Sequence, residues 1–145
     1  MKQLFFLLLF PLFFVSCKQQ ISHSDVSKIN GYWEIEKVIL ASGEKKEYKV
    51  NETIDYFELR QAQPDNQFSG FRKKVSPQMD GKYLVNDVAE TISITSEKSE
   101  YFINYKTKYI SWKEEIIELQ DSVLVLKNND NVFYHYKKSI PFSLK

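Results

Sequence analysis

Residues 114–138 read EEIIELQDSVLVLKNNDNVFYHYKK. Three apolar or aromatic runs are separated by two polar turns. Tyr109–Leu119 carries Trp112, Ile116, Ile117 and Leu119, and Gln120-Asp121-Ser122 turns the chain into Val123–Lys127. Asn128-Asn129-Asp130-Asn131 turns it again into Val132–Lys138. Tight polar turns between short β-rich runs predict an antiparallel meander. Glu114–Leu119 is long enough for one helical turn, but Ile116-Ile117 with short flanks fits a strand better.

Working back from this meander, the same pattern recurs. Tyr32–Leu40 predicts a strand with Trp33, Ile35 and Ile39 on one face and Glu34 and Glu36 on the other. Further strands are expected at Lys45–Val50, Thr53–Arg60, Phe68–Val75, Lys82–Val85, Glu90–Thr95 and Tyr101–Lys106. Gly70 marks a bulge or a close approach within its strand. Ser76-Pro77-Gln78-Met79-Asp80-Gly81 is a turn. No helical period persists for ten residues. Eight to ten short strands at this spacing predict an all-β fold, a barrel or a sandwich. Closing the sheet removes its exposed edges.

The N-terminus is different. Met1 and Lys2 are followed by Leu4–Val15, nearly all Leu and Phe, and then by Ser16 and the only cysteine, Cys17. Positive start, apolar core and small residue in that order read as an export signal. The apolar run has about twelve residues where a bilayer span needs roughly 20. Phe14-Val15-Ser16-Cys17 resembles the lipobox of bacterial lipoproteins. That resemblance implies cleavage before Cys17, diacylglycerol on its thiol and an acylated amine. Two or more chains hold a protein on a membrane where one does so only marginally. Lys18, rather than Asp, after the cysteine favours the outer membrane by the family's sorting rule. The absence of an acidic cluster in residues 18–22 favours the periplasmic leaflet. The expected organisation is a signal peptide at 1–16, a lipid-anchored tether at 17–28 and a barrel domain at 29–145, with Ser22–Lys28 read as polar linker.

Charge narrows the function. The chain has 20 Lys and Arg against 19 Asp and Glu, and the leader removes Lys2 alone. A balanced domain lacks the basic excess of a nucleic-acid binder. Arg72, Lys73 and Lys74 form a short basic cluster, read as a solvated turn or strand edge.

Gly31-Tyr32-Trp33, within NGYWEI at 30–35, resembles the opening signature of the lipocalins and of lipocalin-like domains in envelope lipoproteins. The resemblance extends over residues 29–138. It implies an antiparallel up-and-down β-barrel of about eight strands, with the tryptophan packed across the closed end and a small apolar ligand received at the open end. An open β-sandwich is the runner-up. Two features depart from the family pattern. Its Thr-Asp-Tyr turn is echoed only by Thr107-Lys108-Tyr109, and its late arginine over the tryptophan is replaced by Lys137 or Lys138.

Catalytic chemistry is thinly supplied. His23 lies in the tether and His135 on the face of the last strand opposite Tyr134 and Tyr136, so no metal site is expected. Phosphate loops and nucleophile elbows are missing from the sequence. Glu114 and Glu115 point to opposite faces of a strand. Glu114 with Glu118, or Asp55 with Glu118, meet only through the fold. Aromatic residues are the other resource: Trp33, Tyr56, Tyr101, Tyr105, Trp112, Tyr134 and Tyr136 line a ligand pocket or fill the core, core filling being favoured. The expectation is a lipid-anchored, non-enzymatic lipocalin-like barrel without cofactor, binding or shielding a small apolar or amphipathic ligand. The alternative is a protein-interaction module, an accessory subunit of a cell-envelope complex.

Overall fold

A computed structural model describes residues 20–50, 52–63 and 65–140. The leader and Cys17, and with them the expected lipid attachment, lie outside the described residues. Among the described residues, a 3-10 helix at His23–Ile29 is followed by nine strands: β1 (Gly31–Ile39), β2 (Lys45–Glu47), β3 (Ile54–Ala62), β4 (Gln67–Pro77), β5 (Tyr83–Glu97), β6 (Glu100–Lys106), β7 (Ser111–Leu119), β8 (Val123–Asn128) and β9 (Phe133–Lys138). Every pairing is antiparallel, each strand from β3 to β9 pairs with the next, and β9 pairs back on β1. The result is a closed up-and-down barrel of eight strands, with short β2 extending the edge of β1 beyond β3. Closure excludes the open sandwich.

Strand alternation builds the interior. Trp33, Phe57, Ile92, Ile103, Ile116, Leu124 and Leu126 are all buried in one cluster that lies within residues 21–136. Bulges reset the phase in three strands. In β1 the register shifts between Ile35 and Lys37, so Val38, not Ile39, enters the core, and Ile39 is left half-buried. A shift between Ile116 and Glu118 does the same for Leu119 in β7. The third shift lets one strand, β5, cover both the Lys82–Val85 and Glu90–Thr95 segments, since Lys73 pairs Ala89 while Val75 pairs Val85.

Gly70 is the expected close approach. A Cβ there would stand 1.8 Å from the Glu58 carbonyl oxygen, so only glycine lets β3 and β4 pass.

Within the stretch read as a tether, His23–Ile29 forms a 3-10 helix rather than a linker. Asp25 accepts hydrogen bonds from the Ser22 amide at 2.9 Å and the Ser22 hydroxyl at 2.6 Å, which starts the 3-10 helix. Val26 and Ile29 are fully buried, and the helix packs on β3 and β7, closing one end of the barrel. Two apolar residues three apart in a polar segment are too few to announce a helix from sequence.

Candidate functional site

Trp33 stands at the closed end. Its indole Nε1 donates to the Ile29 carbonyl at 2.6 Å, and the Lys138 ammonium lies 4.2 Å from its ring centroid. Lys138 donates to the carbonyls of Lys28 (3.0 Å) and Asn30. Gly31, at φ +109°, leaves the space that Lys138 crosses, since a Cβ there would meet Lys138 Cε at 3.3 Å. Glycine, tryptophan and late cation therefore form one device, with Lys138 rather than Lys137 as the cation. Lys137 lies near Glu34 and Glu36 instead.

The other half of the interior is chemically different. Asp55, Arg72, Tyr105, Glu114 and Tyr136 converge there, none more than 8% exposed. Lys74 Nζ donates to Asp55 Oδ1 at 2.6 Å, and the Tyr136 hydroxyl donates to Asp55 Oδ2 at 3.1 Å. Arg72 Nη1 lies 3.7 Å from Asp55 Oδ2, and its Nε donates to Glu90. The guanidinium sits 4.4 Å above the Tyr105 ring, which stacks on Trp112 at 4.9 Å between centroids and 9° between planes. Lys74 is half-exposed and Trp112 half-buried, so these two side chains carry the edge of the cluster toward water.

Two polar atoms in it are left over. Tyr105 Oη and Glu114 Oε2 are buried without a hydrogen-bond partner at full bonding distance among the described residues. They project from diagonal positions on β6 and β7, where Tyr105 pairs Trp112 and Ile103 pairs Glu114. Burial raises the Glu114 carboxyl above its ordinary value and the nearby Asp55 charge adds to it, while the Tyr105 hydroxyl and then Arg72 and Lys74 oppose it. Burial, followed by the Glu114 charge, also holds the Tyr105 hydroxyl well above its usual range. The two groups lie close enough for the Tyr105 hydroxyl to act on the Glu114 carboxylate as a hydrogen-bond donor, although neither Tyr105 Oη nor Glu114 Oε2 has a partner at full bonding distance among the described residues.

Of the aromatic residues expected to line a pocket or fill the core, Tyr105, Trp112, Tyr134 and Tyr136 meet in or beside this cluster. Trp33 and Tyr101 belong to the core, Tyr101 also lining a hollow beside Ile21 and Ile116. Tyr56 does not join them. Its neighbour Asp55 takes the inward position, and Tyr56 packs outside against Tyr32 (4.7 Å) and Phe71 (6.1 Å). The run Ile54, Tyr56, Phe57, Leu59 contains both phases, and size alone picked the wrong one. Arg72 corrects a second reading: it is buried, not solvated, because it shares the inward phase of Phe68 and Gly70. Glu118 stays out of the cluster, accepting from Gln120 Nε2 at 2.6 Å. His135, opposite Lys37 on the outer face, is partly buried, and burial lowers its pKa.

A pocket of about 500 Å³ adjoins this cluster through Tyr105 and Trp112. Its lining includes Ser69, Thr91, Ser93, Asn104 and Lys113, side chains of the outer face of β4–β7, beside Ile92, Tyr105 and Trp112. The site is therefore the convergence of buried charge together with the ring stack that this hollow shares with it.

No family model matches the chain, and no curated protein matches it. Among solved structures, a lipocalin-like protein from Bacteroides uniformis is similar at a TM-score of 0.46 and 14% identity, over 77% of this chain and 99% of that one. The assignment of the barrel rests on its own closed strand order.

Proposed function

We propose that this barrel binds or shields a small amphipathic molecule in its open half, as a lipoprotein anchored through Cys17 to the outer membrane and facing the periplasm. The observation that supports binding is the pair of buried, unpartnered oxygens on Tyr105 and Glu114 beside the Tyr105–Trp112 stack. Buried polar atoms in folded proteins nearly always have partners. A ligand with a polar group and an apolar body supplies the missing hydrogen bond and covers the rings. The anchor is supported by Phe14-Val15-Ser16-Cys17 and the apolar leader. The role is binding, not catalysis.

One isolation tests both parts. The full chain, expressed with its leader in a Gram-negative host, is weighed by native and denaturing mass spectrometry. The expected denatured mass is that of Cys17–Lys145 plus diacylglycerol and one acyl group. An unmodified cysteine would remove the anchor. The expected native mass carries an additional small molecule that denaturation releases. A bare native mass that stays bare after exposure to envelope lipid extract would favour the interaction-module reading. Exposed Met79, Leu84 and Val88 around the β4–β5 turn are what supports that second reading.

A further inference from the structure

We infer that the polar group this barrel recognises is a primary ammonium, held by Glu114 and Tyr105 with the ligand's apolar body against Trp112. The inference rests on the binding function proposed above and specifies its chemistry.

The charges of the interior do not balance. Arg72 is matched by Glu90 and Asp55, and Lys74 by Asp55. Three acids thus face two bases in the cluster. Glu114 is the acid for which no ion pair forms among the described residues, and its Oε2 is buried without a partner at full bonding distance. A buried carboxylate lacking a partner is costly, and a cation is the partner that removes most of the cost.

Hydrogen-bond valence selects among cations. Glu114 Oε2 is an acceptor when ionised, and Tyr105 Oη accepts as well as donates. An ammonium has three N–H donors, enough for both oxygens at once. An alcohol donates once, a carboxylate not at all, and a quaternary ammonium offers charge without a donor. The fixed Arg72 over the Tyr105 ring adds a third constraint. The face of that ring is already occupied, so an incoming cation is directed to the oxygens and not to an aromatic cage.

Octylamine, octanol, octanoate and octyltrimethylammonium serve as probes, sharing one tail and differing in the head. The titrations use the full chain as isolated above. Calorimetric titration at pH 7.5 is expected to give octylamine at least tenfold tighter binding than any of the other three. Glu114→Gln is expected to bring the octylamine-to-octanol ratio to within threefold, with near-ultraviolet circular dichroism establishing that the variant is folded. Because the ranking of heads is read on the unaltered chain, a variant that fails to fold leaves the main test intact. Equal binding of octylamine and octanol, or tighter octanoate, would overturn the ammonium assignment and leave the amphiphile-binding function standing. Absence of binding by all four would overturn both. A tenfold preference that survives in Glu114→Gln would overturn the role given to Glu114.

Discussion

The two ends of this barrel use buried polar groups in opposite ways. At the closed end, Trp33 Nε1 has the Ile29 carbonyl and Lys138 has two carbonyls and an aromatic face. At the open end, five polar side chains are as deeply buried, yet Tyr105 Oη and Glu114 Oε2 remain without partners. A hydrogen bond made inside a protein adds only about 0.5–1.5 kcal/mol net, while a buried group left unpaired costs about 1–3 kcal/mol. The closed end is therefore arranged for stability. In the open end some stability is forgone, and the unpaired groups are what a ligand can use.

The largest effect expected from this contrast is at the closed end. Trp33→Ala removes a fully buried indole that is bonded to the helix and covered by Lys138. It is expected to lower unfolding stability by about 3–5 kcal/mol, read from urea midpoints at constant slope. A loss below about 1 kcal/mol would mean that the helix and Lys138 do not close the barrel through this ring.

A finer test sets one buried tyrosine against another. Tyr105 and Tyr136 are 1% and 3% exposed, and both lie in the polar cluster. Tyr136 donates to Asp55, whereas the Tyr105 hydroxyl has no partner. Tyr136→Phe is expected to cost about 1.5–3 kcal/mol, as for a hydrogen bond to a charged group. Tyr105→Phe removes the same atom from an equally buried ring, and is expected to change stability by less than about 0.5 kcal/mol or to raise it. Equal losses in denaturant titrations would show that Tyr105 has a bonding partner after all, and the contrast between the two ends would weaken.

Sequence made the closed end more legible than the open one. The Gly31-Tyr32-Trp33 signature and the Val123–Lys138 hairpin each carry a local pattern, and both sit where that pattern places them. Gly70 announced its close approach by being a lone glycine among strand residues. The open end has no such local mark. Its members come from five strands, and each is assigned inward only when the phase of its strand is known. Asp55 shares the phase of Phe57 and Leu59, and Arg72 that of Phe68, so the information was present. Two things obscured it. Charge argues for the surface when residues are read one at a time, and the bulges after Ile35 and Ile116 reverse a phase counted across them. The helix at 23–29 was hidden because its role is tertiary: Val26 and Ile29 form no face until the barrel gives them one.

The smallest expected effect, and the most specific, belongs to Glu114. Its carboxyl is raised in the folded barrel, chiefly by burial. As pH rises past the ordinary value of 4.5, the unfolded chain releases this proton while the folded chain still holds it. The folded state then binds more protons, so unfolding becomes easier with rising pH until the raised value is passed, above which the cost is complete. Glu114→Gln removes that dependence. Thermal melts are expected to show the variant equal to the parent below pH 4.5 and more stable than it at pH 7, by less than the Tyr136→Phe loss. Octylamine binding has the opposite slope. It needs the ionised carboxylate, so its affinity is expected to rise with pH over the interval in which the ligand-free barrel loses stability. One group then drives two trends of opposite sign. If both trends run the same way, Glu114 is not the acid that ties them together, and the asymmetry between the ends has another source.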